Sequence, residues 1–259
     1  MTVPDVDAGA QMFARYAYAP NALGFCGPPN PELLLEGTRA AIETAARRFT
    51  GAWPYLQVLS RLTGIPDPLD HRLVEAYWLG GGVGAELDPQ TFTTELLAVI
   101  GPQAGHYWAH LGPELAAEAA PNHCFHVFGV YPWSRLLGKG DPQLDKQPLH
   151  ILDSCRISWG TVVSVSGTSA QVRRQGLQWD GSALFLDAPA VHRVELGIEV
   201  AEGDLVAVHW SRVCDRLTEA QVRTLEHGTQ RQLRVTNVRL RADSARSQKA
   251  SGTDTAQQS

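Results

Sequence analysis

The chain has no CxxC pair, no long apolar run, no excess of basic charge and no internal repeat, and each absence removes a class of function. Its four cysteines, Cys26, Cys124, Cys155 and Cys214, are spread over 259 residues. That spacing fits neither a disulfide framework nor a paired zinc ribbon, so reduced thiols and a cytoplasmic location are expected. The longest apolar stretches, such as 206–210, fall far short of the roughly 18 to 20 residues that cross a bilayer. The first residues carry two Asp where a signal peptide needs Lys or Arg, and no membrane partner is expected. With 22 basic against 27 acidic side chains the net charge is −5, whereas a nucleic-acid partner requires a concentrated basic face. Catalytic signatures are missing too. GGGVG at 80–84 lacks the Lys-Ser/Thr ending of a phosphate loop, no GxSxG elbow surrounds Ser134 or Ser154, and no HExxH occurs.

What is present is a folded composition, 44% hydrophobic and 19% charged, in a chain long enough for two modest domains. The first part reads as helical. Apolar residues recur at helical spacing over 31–49, and caps or breakers bound further helices at 54–63, 70–79, 88–99 and 105–120. Residues 13–28 read as an aromatic-rich loop, and 138–149, rich in Pro, Gly and charge, as a linker. Short Val-, Ile- and Leu-rich runs bounded by turn residues follow, which suggests a small β-barrel. Thr218 and Gln221 then form a capping-box pattern at the start of a C-terminal helix. The expected fold is α+β: a mainly α-helical domain over 1–137, the linker, a barrel with its helix over 150–237, and a disordered tail over 238–259.

The strings CRISWGTVV (155–163) and GDLVAVHW (203–210), followed after a polar step by an amphipathic helix, resemble the small HypC/HupF-type assembly chaperones of nickel–iron hydrogenases. The likeness covers 151–235; residues 1–145 resemble no family of known activity. It implies a HypC-like, OB-like barrel and an accessory, chaperone role in hydrogenase maturation, with a maturation factor or the immature large-subunit precursor as partner. In that family the cysteine holds iron carrying cyanide and carbon monoxide. By this resemblance Cys155 would be an iron ligand, and His209 matches the family's strand histidine. The chain differs in that Cys155 is internal rather than next to the initiator Met, and Trp159 replaces a Pro.

The residues themselves add detail. A thiolate is a soft ligand suited to iron, and Arg156 and His150, close in sequence, are expected to lower the Cys155 thiol pKa. Along DLVAVHW, His209 alternates with Val206 and Val208 and is expected to face away from the barrel interior. A second cluster lies in PNHCFHVFGVYPW (121–133), where His123, Cys124 and His126 fall within four residues, with His106 and His110 one helical turn apart upstream. These five support an alternative: a metal-dependent enzyme with its site in the helical domain and the barrel as an interaction module. Read as an extended strand, the segment places Cys124 and His126 on one side and His123 on the other, making the first two the metal pair. The competing reading is a buried aromatic segment with satisfied histidines. Cys26, before Gly-Pro-Pro in the N-terminal loop, suits a binding surface or a structural anchor, and Cys214 reads as core.

Overall fold

Residues 13–22, expected to be loop, belong instead to helix α1 (Ala8–Ala22). Its Ala-rich sequence favours helix, but it is buried around most of its circumference, so no polar stripe marks it in the sequence. The computed structural model describes residues 7–103 and 111–256, the side chains of 36, 103 and 247–256 aside. His106 and His110 therefore lie outside the described residues. α1 is central: a Cβ on Gly9 would fall 1.9 Å from the Leu69 carbonyl oxygen, so only glycine permits the approach.

The expected helix over 31–49 is broken at Gly37 into α2 (Leu33–Glu36) and α3 (Arg39–Ala46), the second capped by Thr38, whose hydroxyl accepts from the Ala41 N–H. The next three helices follow their end signals. α4 (Trp53–Thr63) stops at Gly64 with φ 73°, α5 (His71–Leu79) is capped by Asp70, and α6 (Pro89–Ile100) by Asp88 with Pro89 in its first turn. Within 105–120, the described part is a short 3-10 turn at Pro113–Ala117. A single α-turn, α7 (His123–Phe125), follows and widens into a π-turn over His126–Val130.

The expected linker is mostly helix. Asp141 accepts from the Gln143 N–H and Pro142 fits the first turn, so α8 (Pro142–Cys155) starts inside 138–149 and runs to Cys155 despite Pro148. Cys155 thus ends a helix rather than opening a strand.

Seven strands follow: β1 (Ser158–Ser166), β2 (Ser169–Arg174), β3 (Leu177–Trp179), β4 (Leu184–Leu186), β5 (Ala190–Leu196), β6 (Leu205–His209) and β7 (Arg212–Arg216). Five close a barrel in the order β1-β2-β5-β7-β6, antiparallel except for the short β5–β7 seam, while β3 and β4 form a separate hairpin. β7, the strand that closes the barrel, has no counterpart in the sequence reading. Val162, Val172, Val194, Val206, Val208 and Val213 fill the interior.

Helix α9 (Glu219–Ala256) opens with the expected capping box: the Gln221 N–H donates to Thr218 Oγ1 at 3.2 Å, and the Thr218 N–H donates to Gln221 Oε1 at 2.9 Å. The helix runs through most of the expected disordered tail. Leu240 is buried and Arg239 pairs with Glu118 at 2.6 Å, which anchors this part of the chain. Among the described residues no helix is long and apolar enough to cross a membrane.

The core does not divide at 138–149. One continuous apolar cluster joins Phe13, Tyr16, Trp78 and Leu79 of the helical part to Ile157, Ala207, Cys214 and Leu217 on the outer face of the barrel. Arg15 binds Asp215 at 2.6 Å across the same junction and donates to the Cys214 carbonyl. α1 and α5 thus fix the barrel wall that carries β6.

Candidate metal centre

At that junction three side chains from separate elements converge. His123 of α7, Cys155 at the end of α8 and His209 at the end of β6 bring one ligand atom each to within 4.8 Å of one another, and all three residues are buried. β6 explains the position of His209. Every second residue of the strand lines the barrel interior, and the alternate face, ending in His209, packs on the helices as the sequence predicts.

His123 reaches the cluster because its segment is helical and not extended. Asn122 Oδ1 accepts from the Phe125 N–H at 3.1 Å and starts the turn. Three residues then bring the chain back to one face, so the His123 and His126 rings lie 6.1 Å apart with planes inclined at 25°. The expected pairing of Cys124 with His126 is thereby overturned. Cys124 points toward Thr229 of α9, and burial pushes its thiol up to about 12. His126 shares its face with His123.

The hydrogen bonds set the tautomers. His209 Nδ1 lies 2.7 Å from the Tyr16 carbonyl oxygen, which can only accept, so Nδ1 carries the proton and Nε2 presents a bare lone pair. That Nε2 is buried and makes no well-formed hydrogen bond, with the Cys155 carbonyl nearby. His123 Nε2 lies 2.9 Å from the Cys155 carbonyl oxygen and 3.9 Å from its Sγ, while Tyr77 Oη lies 3.1 Å from Nδ1. A bound metal would take Nε2, and the proton would move to Nδ1, where the phenol oxygen can accept it.

Burial controls the charges. It holds His209 and His126 down to about 4 and holds His123 well below its ordinary value, with His209 and His126 adding to the effect on His123. All three imidazoles are neutral, the form that ligates. Burial also pushes the Cys155 thiol upward, with Cys26 contributing in the same direction. The expected activation by Arg156 and His150 does not occur. The Arg156 guanidinium is buried against Asp153 and the Gln175 carbonyl, and His150 is exposed. A bound cation is then the charge that would ionise the thiol.

One thiol and two imidazoles suit borderline transition metals such as zinc, iron, nickel or copper, and not calcium or magnesium. The His209 Nε2, buried without a well-formed hydrogen bond and facing Cys155 and His123, is the observation that fits the group. The cluster lines a cavity of about 30 Å³, whose other walls include Cys26, Gly51, His126 and Tyr131. Cys26 lies in a loop held by Asn21, whose amide donates to the Cys26 and Pro28 carbonyls, and burial pushes its thiol up to about 12. Cys214 is core, as expected. The sequence reading named His123, Cys155 and His209 but in separate sites; Tyr77, Gly51 and the Tyr16 carbonyl carry no sequence signal of their role.

No curated protein and no solved structure matches the chain. A family model described as a family of unknown function matches residues 5–243, which spans the helical part, the barrel and most of α9 together. The chain belongs to that family, DUF6390.

Proposed function

We propose that the protein is a metal-holding accessory protein of nickel–iron hydrogenase maturation, in which His123, Cys155 and His209 bind one borderline transition-metal ion, iron on the resemblance. The observation that carries this reading is the meeting of Cys155 and His209 in one buried cluster. These are the two positions that the resemblance to the HypC/HupF-type chaperones singles out, and they come from different elements. The partner on this reading is a maturation factor or the large-subunit precursor. The helical part departs from a free-standing small barrel by contributing His123 and closing over the cysteine.

The alternative of a metal-dependent enzyme changes accordingly. Two of the three converging donors lie beyond residue 137, so such a centre would belong to both halves of the chain. Anaerobic purification with the neighbouring gene products, followed by elemental analysis and infrared spectroscopy, tests the proposal. About one metal ion per chain is expected, lost in Cys155→Ala and His209→Ala, with hydrogenase activity falling in cells carrying either variant. Metal-free protein, or unaltered hydrogenase activity in both variants, would falsify it.

A further inference from the structure

Three protein donors leave a four-coordinate ion one position short, and such sites are where metals bind water or substrate rather than serve as structural staples. The three donors and His126 line the same 30 Å³ cavity, room for about two water-sized occupants, of which the ion would be one. On its wall stands His126, buried, with both ring nitrogens lacking any hydrogen-bond partner. Such a side chain costs stability unless something in the cavity completes it. His126 is not part of the three-ligand set. The space in front of its Nε2 is kept clear by Gly51: a Cβ built there would lie 2.7 Å from that nitrogen, although the Gly51 backbone itself would tolerate a side chain. Aromatic neighbours fix the ring, with Tyr131 and Tyr55 at centroid distances of 4.4 and 5.4 Å.

We infer that the centre keeps an open coordination position within this cavity, filled by water or by a small monoanion. His126 is the hydrogen-bonding partner of that ligand and not a metal ligand. The inference rests on the proposed metal binding and adds an exchangeable ligand site to it. The cavity size excludes larger groups, and with the Cys155 thiolate offsetting one charge of a divalent cation, the remaining positive charge draws an anion in.

Cobalt(II) and azide test it, since the visible spectrum of cobalt reports its coordination. Full-length metal-free protein is loaded with cobalt under reducing conditions and titrated with sodium azide. The expected result is a saturable spectral change in the wild type. His126→Phe retains one cobalt but weakens azide at least tenfold, and Gly51→Ala, which fills the hollow, does the same. Cobalt binding with no response to azide, loss of cobalt in His126→Phe, or wild-type azide affinity in Gly51→Ala would each overturn the inference while leaving the metal site standing. Failure of the wild type to bind cobalt overturns both.

Discussion

His209 shows how little at the residue scale separates a packed histidine from a ligand. Its ring is buried and neutral like any core imidazole, and the single bond from Nδ1 to the Tyr16 carbonyl decides that the other nitrogen is bare. A consequence for proton traffic follows. Cys155 enters as a thiol, since burial raises its pKa, whereas His209 stays neutral down to about 4 and His123 is held well below its ordinary value by burial. Metal uptake should release one proton, from the thiol alone. Apparent affinity is expected to rise about tenfold per pH unit, and the slope should stay at one between pH 5 and 8. Solvent-like histidines, titrating near 6.5, would steepen it toward three below that value. Competition with a chromophoric chelator measures the slope. At this scale the sequence disclosed Cys155 and His209 through their strings, while His123 was assigned to the wrong side because the segment was read with a period of two.

Elements whose ends carry chemistry were legible. Asp70 and Asp88 cap α5 and α6 where the pattern places them, and the Thr218–Gln221 box starts α9. Elements without an amphipathic contrast were not. α1 is buried on most sides, and α8 hides its start in an Asp-Pro pair that also reads as linker. The β6–β7 turn is a third case. Trp210 and Ser211 both take positive φ, 50° and 58°, in a two-residue hairpin that ordinarily selects Asn-Gly. Trp210 is kept there by contacts: its ring stacks on Phe25 at 3.9 Å and its backbone N–H donates to the Ser154 carbonyl beside Cys155. Ser211 is exposed and has no such tie, while its carbonyl accepts from the Glu195 N–H, a bond that glycine would preserve. Ser211→Gly is therefore expected to stabilise the fold by about 1 kcal/mol, seen as a rise of roughly 2 to 4 °C in Tm. An unchanged or lower Tm would show that the turn carries no strain.

The whole molecule is where composition misled most. The charge imbalance and the Pro- and Gly-rich stretch suggested two bodies joined by a tether, but apolar residues on both sides of 138–149 bury one another, with Trp78 and Tyr16 in the same cluster as Ile157 and Leu217. No local pattern records which surfaces will meet across a junction. A fragment of residues 1–145 would expose that cluster and lose the β6–β7 wall. It is expected to show poorly dispersed amide resonances and a weak near-ultraviolet circular dichroism signal, whereas the intact chain unfolds as one cooperative unit. A well-dispersed spectrum from the fragment would restore the two-domain reading.

Trp78 connects the two halves in another respect. Its indole is stacked on Tyr16 at 5.4 Å and lies 4.7 Å from the His123 ring and 5.7 Å from that of His209, so it touches two of the three proposed ligands. Any coloured or paramagnetic ion held there would be in van der Waals range of a fluorophore fixed in the core. The protein thus contains an intrinsic optical gauge of its own loading: emission from Trp78 should dim as the centre fills and recover as a chelator empties it, with no label added.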